Sequence, residues 1–171
     1  MHSPDVTAVF ALPDEAATQR VGECLATAIQ PGLVIFLEGD LGAGKTTLSR
    51  ALIRALGHAG PVKSPTYSLV EVYVFSSLYL YHFDFYRFES PEEFLDAGFD
   101  EYFNDASLCL VEWPERAAGC VPAPDLRLQL HHAGLGRRLQ AVADTPKGQA
   151  CLNALIQAMA AASSSAMPAP R

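Results

Sequence analysis

The stretch from Leu33 to Leu48, LVIFLEGDLGAGKTTL, decides the fold. Its opening, Leu33-Val34-Ile35-Phe36-Leu37, is a continuous apolar run without alternation, the pattern of a short strand covered on both faces. Gly39-Asp40-Leu41-Gly42-Ala43-Gly44-Lys45-Thr46 then fits G-x-x-x-x-G-K-[ST], in which glycines let the backbone wrap closely round phosphate oxygens. Behind it, Leu48, Ala51, Leu52, Ala55 and Leu56 recur at helical spacing, and Gly57 stands where a left-handed cap ends a helix. Strand, glycine-rich loop and helix in that order are the context a phosphate loop requires. Successive N–H groups and the positive helix end then face the anion. Lys45 is expected to reach the β- and γ-phosphates and the Thr46 hydroxyl to bind Mg2+. Asp40 is read as a turn former, since a carboxylate aimed at phosphate would be repelled.

Working outward, the first periodic segment follows Leu12-Pro13-Asp14. Ala17, Val21, Leu25, Ala28 and Ile29 make a helical stripe, capped near Asp14 and closed by Pro31-Gly32. Thr66 to Phe83, rich in Val, Tyr, Leu and Phe and broken only by Ser76-Ser77, reads as a β-hairpin. Ser90-Pro91-Glu92-Glu93 has the cap Ser, first-turn Pro and returning Glu of a helix start, which Gly98 breaks or bends. Leu108 to Val111 is another apolar strand, and Leu126–Leu130 and Arg138–Val142 alternate as the arms of a second hairpin. A last helix is expected from about Thr145 to Ala160.

The predicted fold class is therefore α/β, a P-loop NTPase-like mixed β-sheet flanked by α-helices, with antiparallel hairpins added to the P-loop unit. Residues 1–160 are expected to form a single domain and 161–171 an Ala/Ser/Pro-rich disordered tail. A chain of 171 residues that is 50% hydrophobic and 18% charged is not a disordered one. Twelve Lys plus Arg against 19 Asp plus Glu give a net charge of -7, so no global positive field draws in nucleic acid directly. Cys24, Cys109, Cys120 and Cys151 lack a C-x-x-C pair or zinc-like spacing and are read as reduced core thiols. The amino-terminal stretch lacks a basic segment followed by an apolar run, and no apolar run approaches the roughly 20 residues that span a bilayer. No membrane contact and a cytoplasmic location are expected.

A phosphate loop needs an acidic residue at the end of a neighbouring strand to hold Mg2+ or its waters. Asp84 ends Leu80-Tyr81-His82-Phe83 and Glu112 ends Leu108-Cys109-Leu110-Val111; spacing alone leaves open which binds the metal and which positions the attacking water. On Lys63-Ser64-Pro65-Thr66-Tyr67, the Ser64 and Thr66 hydroxyls are switch-like candidates that could sense a γ-phosphate. Trp113, directly after Glu112, would suit a partner contact if exposed beside the site. His58, His82, His131 and His132 are read as solvated or satisfied. The absence of an N-K-x-D motif favours ATP over GTP.

Taken together, GDLGAGKTT, VKSPTYSLVEVY, YHFDFYR and LVEWPE resemble the TsaE (YjeE) family of bacterial P-loop ATPases, over about Leu12 to Val142. The resemblance implies a weak ATPase with ATP and Mg2+ as cofactors, working with TsaB and TsaD to make N6-threonylcarbamoyladenosine (t6A) in tRNA. TsaD would perform the transfer, and the tRNA would be met only indirectly. It further implies that Leu41, Gly42, Ala43, Gly44, Lys45, Thr46 and Thr47 contact the nucleotide, that Thr46 and Glu112 bind Mg2+, and that Lys45, Asp84 and Glu112 serve catalysis. Ser64-Pro65-Thr66 would be the switch-like segment, Trp113 the tryptophan near the nucleotide or partner, and Arg137 an arginine near the adenine end. Pro13-Asp14-Glu15 would border the adenine. Two other classes compete: a small-molecule kinase, for which no arginine-rich lid is visible, and a nucleotide-gated docking module without required hydrolysis.

Overall fold

The computed structural model describes residues 6–165. Strand β1 is Val6–Leu12, helix α1 Glu15–Ala28, strand β2 Val34–Glu38 and helix α2 Lys45–Ala55. Strands β3, Val70–Val74, and β4, Tyr79–Asp84, precede the one-turn helix α3, Glu93–Asp96, and strand β5, Ser107–Glu112. Strands β6, Leu126–Ala133, and β7, Gly136–Ala143, lead into helix α4, Pro146–Ser165. The seven strands form one sheet in the order β1-β7-β6-β2-β5-β4-β3. Strand β2 runs parallel to β5 and β6, and β4 parallel to β5, while β3–β4, β6–β7 and β1–β7 pair antiparallel. This is the mixed sheet with added hairpins that the sequence predicts.

The glycine-rich loop leaves β2, in the middle of that sheet. Because β2, β4 and β5 all run the same way, their carboxyl ends share one edge, with Leu37 opposite Glu112 and Asp84 opposite Glu112. Open α/β sheets bind ligands outside the carboxyl ends of such strands.

One face of the sheet packs under α1, α2 and α4. Val21, Leu25, Leu48, Leu52, Leu152 and Leu155 meet Ile35, Leu37, Leu110 and Leu128 in the main core. Helix α1 approaches α2 closely through Gly22, where an added Cβ would stand 2.5 Å from the Leu48 carbonyl oxygen. The other face of β4 and β5 carries an aromatic core of Phe83, Phe85, Phe88, Phe94 and Phe99. Phe85 stacks on Phe88 at 4.7 Å and meets Phe94 edge-on at 5.7 Å, geometries that suit the ring quadrupole. Strand β5 is therefore buried at all six positions. Strand β2, predicted to be covered on both faces, is fully buried at Ile35 and Leu37 but only half-buried at Val34 and Phe36. Phe36 borders an open groove beneath the loop from Pro114 to Ala123.

Other differences have local causes. Strand β1 goes unpredicted because Val9 and Ala11 blur its alternation; it pairs with β7 from Val6 opposite Ala143 to Leu12 opposite Arg137. The hairpin begins at Val70 rather than Thr66, since the turn after Pro65 is closed by the Leu69 N–H donating to the Pro65 carbonyl at 2.8 Å. Helix α3 is a single turn, whose Glu93 carboxylate accepts from the Ser90 N–H at 2.9 Å, and Gly98 at φ 74° breaks it from a second short turn at Phe99–Tyr102. Helix α4 continues past Ala160 to Ser165, five residues into the segment expected to be disordered, because alanines favour helix and Ala162 packs on the core. Residues 166–171 of that expected tail lie outside the described residues. All four cysteines are free, and Cys120 is only half-buried, unlike the three core thiols. Among the described residues, no helix is long and apolar enough to cross a membrane.

Candidate nucleotide and metal site

Helix α1 starts where the sequence places it, the Asp14 carboxylate accepting from the Ala17 N–H at 2.8 Å. Helix α2 starts at Lys45 because Gly44, at φ 110°, turns the chain through a left-handed conformation directly before it. The N–H groups of its first turn have no carbonyl ahead of them in the helix and point out of its positive end. Gly39 permits the loop to pass β6, since a Cβ there would meet the Leu130 carbonyl oxygen at 2.7 Å. Asp40 is exposed and its carbonyl accepts from the Ala43 N–H at 3.1 Å, the turn-forming role expected of it.

Lys45 is 6% exposed. Its Nζ donates to the Gly39 carbonyl at 2.5 Å and lies 4.0 Å from the centre of the Trp113 ring. Burial pulls its pKa down, opposed by the Glu112 and Asp84 carboxylates. Asp84 and Glu112 are buried neighbours across β4 and β5. Asp84 Oδ1 accepts from the Tyr86 N–H at 2.9 Å. Burial pushes the Asp84 carboxyl up; the Tyr86 hydrogen bond opposes this and the Glu112 charge adds to it.

A cleft of about 250 Å³ brings together Leu41, Gly42, Gly44, Lys45, Thr46, Thr47, Ser64, Thr66, Asp84, Glu112 and Trp113. Those are the sequence candidates except Ala43, Arg137 and the Pro13-Asp14-Glu15 stretch. Ala43 turns its side chain into the core and offers its carbonyl to Arg137 Nε at 3.2 Å. Arg137 Nη2 donates to the Gly42 carbonyl at 3.0 Å, so the guanidinium clamps the glycine-rich loop to the start of β7. Arg137 lines a second cleft of about 340 Å³ with Leu12, Asp14, Glu15, Thr18 and Leu135; Gly42, Gly44 and Thr47 border both clefts.

In the switch-like segment the Ser64 and Thr66 hydroxyls are 2.6 Å apart. Leu69, three residues beyond it and bonded back to the Pro65 carbonyl, has φ 71°, and its own carbonyl accepts from the Asp84 N–H at 3.0 Å, linking the segment to the acidic pair. Arg87 lies 4.1 Å over the ring of Tyr67, which is 81% exposed. Trp113 also has a left-handed backbone, at φ 55°, a conformation that costs a bulky residue roughly 1–3 kcal/mol. The Tyr86 ring, 5.0 Å away, and Lys45 hold it there.

His82 is the site residue that sequence reasoning missed. It is 2% exposed, and its Nε2 lies 2.6 Å from Glu112 Oε2. A polar residue two positions before Asp84 on an otherwise apolar strand face was the available signal. His58 instead packs on Tyr73, and His131 and His132 are exposed at the end of β6.

The donors fit Mg2+. Thr46, Asp84 and Glu112 present oxygen ligands beside Lys45 in one cleft. No group of three His, Cys, Asp or Glu side chains among the described residues is placed to cage a metal alone. Mg2+ at phosphates is typically held by one or two carboxylates, a hydroxyl and the phosphates themselves, so no such cage is needed.

Known proteins resemble this chain in sequence and in fold. The sequence model described as "Threonylcarbamoyl adenosine biosynthesis protein TsaE" matches residues 12–139. A Haemophilus influenzae protein named tRNA threonylcarbamoyladenosine biosynthesis protein TsaE is 39% identical over 148 residues, 84% of this chain and 94% of its own length. The Bacillus subtilis protein of the same name is 40% identical over 122 residues, covering 71% of this chain and 75% of its own. A crystal structure of YdiB from Bacillus subtilis superposes with a TM-score of 0.74 at 28% identity, covering 91% of this chain and 97% of that one.

Proposed function

The chain belongs to the TsaE family of threonylcarbamoyl adenosine biosynthesis proteins, and on that premise we propose that it binds ATP with Mg2+, hydrolyses it slowly, and supports t6A formation in tRNA together with TsaB and TsaD. Asp84 and Glu112, buried side by side at the strand ends and opening on the same cleft as Lys45 and Thr46, carry the proposal. They supply the acidic half of a phosphate site whose basic half is the loop.

The loop N–H groups and Lys45 bind the β- and γ-phosphates. Thr46 and Glu112 would hold Mg2+, which would neutralise charge on the phosphate oxygens. Asp84, fixed through Oδ1 by the Tyr86 N–H, orients the attacking water. The nucleoside occupies the second cleft, between Leu12, Glu15 and Leu135. Among the described residues no arginine lines the phosphate cleft, and Arg137 is engaged with loop carbonyls on its far side. Without an arginine at the transferring phosphoryl, hydrolysis by the free chain is slow and a partner accelerates it. With a net charge of -7 the chain leaves tRNA to those partners, in the cytoplasm.

The test is the ATP hydrolysis rate with Mg2+, alone and after adding the matching TsaB and TsaD proteins. Slow turnover alone and clear stimulation by the partners are expected. Fast turnover by the free chain counts against partner gating. Bound ATP without stimulation shifts the search to a phosphoryl acceptor, as for a small-molecule kinase.

A further inference from the structure

We propose that His82 is a positioning residue that aims the Glu112 carboxylate, and that it does so through Nε2. The proposal rests on the reading in which Glu112 holds Mg2+ at a bound nucleotide.

Leu80, His82 and Asp84 alternate on the same face of β4, and Leu108, Leu110 and Glu112 on the same face of β5. His82 therefore sits diagonally across from Glu112, one step behind the acidic edge. An ionised carboxylate only accepts hydrogen bonds, so His82 Nε2 donates to Glu112 Oε2 over their 2.6 Å separation. One carboxylate oxygen is thereby committed, and the plane of the group is set before any ligand arrives.

The chain needs such a tether. Asp84 and Glu112 are directly opposed across the parallel pair, 6% and 5% exposed. Two like charges held that close push each other off any single geometry. Lys45, the nearest cation, is drawn to the Gly39 carbonyl and the Trp113 ring and has no hydrogen bond to either carboxylate. The imidazole is thus the group that fixes Glu112. An apolar residue would fill this buried strand position equally well, yet would leave Glu112 untethered.

The other ring nitrogen makes the case sharper. His82 Nδ1 is buried and has no hydrogen-bond partner among the described residues. A histidine kept for folding alone is expected to satisfy both nitrogens. Here the one satisfied nitrogen points to the carboxylate, in the way that a metal-ligating carboxylate is itself held by a hydrogen-bond donor behind it.

The two nitrogens can be separated by substitution. A glutamine amide reaches the Nε2 position, whereas an asparagine amide reaches only the Nδ1 position. Full-length wild type, His82→Gln and His82→Asn are titrated with ADP without Mg2+, and with Mg2+ at saturating ADP, following Trp113 emission. His82→Asn is expected to weaken Mg2+ binding about 10- to 100-fold, and His82→Gln by less than about threefold, with Mg2+-free ADP affinity unchanged in both. Asparagine matching wild type, glutamine losing as much as asparagine, or an equal loss of Mg2+-free ADP affinity each overturns the proposal. Should either variant not fold, ring 15N NMR on the wild-type chain decides. A His82 Nε2 signal that is protonated and shifts when Mg2+ joins bound ADP supports the assignment; an unprotonated or unresponsive one overturns it. Failure of the wild type to bind ADP and Mg2+ removes the parent reading, and this proposal with it, before any variant is made.

Discussion

Replacing Arg137 by alanine separates two ways in which this residue can serve a nucleotide. Its guanidinium donates to the carbonyls of Gly42 at 3.0 Å and Ala43 at 3.2 Å, with a third bond to its own neighbour Gly136 at 2.9 Å. Two of the three bonds therefore hold the phosphate loop. A hydrogen bond to a charged group contributes about 1.5–3 kcal/mol net. The side chain is half-exposed, so the pair together is placed in that range rather than at twice it. If this energy keeps the loop in its phosphate-binding shape, losing it weakens phosphate binding roughly 10- to 150-fold. Arg137→Lys, which replaces a planar fork by a point donor, should recover only part of the loss. The assay is a Trp113 fluorescence titration with ADP and, separately, with tripolyphosphate, which has no base. Acting through the loop, Arg137→Ala weakens both ligands alike. A tripolyphosphate affinity within about twofold of wild type, alongside a weakened ADP affinity, would refute loop anchoring and assign Arg137 to the base.

Three further outcomes follow from the same geometry. Lys45→Ala removes both the phosphate cation and the ammonium 4.0 Å from the Trp113 ring. It should abolish ATP binding and also change Trp113 emission in the ligand-free protein; unchanged emission would contradict the stacking. Burial lifts the Asp84 carboxyl above its ordinary value of 3.8, so the folded chain holds that proton more tightly than the unfolded one. The stabilisation is full below that ordinary value and is lost as pH rises through the lifted one. Asp84→Asn should therefore raise Tm at neutral pH, by an amount that shrinks on acidification towards about pH 4, while stopping partner-stimulated hydrolysis. A lower Tm for the variant at neutral pH would sink the argument. Gly22→Ala would place a Cβ 2.5 Å from the Leu48 carbonyl oxygen and 2.9 Å from the Leu52 nitrogen, both backbone atoms that cannot swing away. Overpacking of about 1–3 kcal/mol or more outweighs the roughly 1 kcal/mol of helix propensity gained, so thermal denaturation should show a drop of several degrees. An unchanged or raised Tm would show that α1 and α2 can part at no cost.

A buried aspartate fastens the end of the sheet opposite this site. Asp125 is buried at the start of β6; its Oδ2 accepts from the Val34 N–H at 2.8 Å and its Oδ1 from the Thr145 hydroxyl at 2.7 Å. One side chain thus joins the entry of β2 to the cap of α4. Nothing local in Pro124-Asp125-Leu126 distinguishes it from a turn aspartate.

Structure that depends on neighbours in the chain was legible in the sequence. Gly39 to Thr46 dictates its own shape, because positive φ values, a helix start and a lysine are all set within eight residues. The apolar runs ending in Asp84 and Glu112 declared strands with carboxylates at their tips, and both carboxylates reached the cleft. Sequence could not say that these two would be directly opposed, because that follows from β4 and β5 being parallel and in register. Nor could it show that His82 falls beside Glu112, that Arg137 clamps the loop from a hairpin, or that β1 closes the far edge of the sheet. These are contacts between segments remote in the chain. Local periodicity fixes which face a side chain takes along its own strand; which strand lies alongside, and in what register, is decided only when the whole core packs.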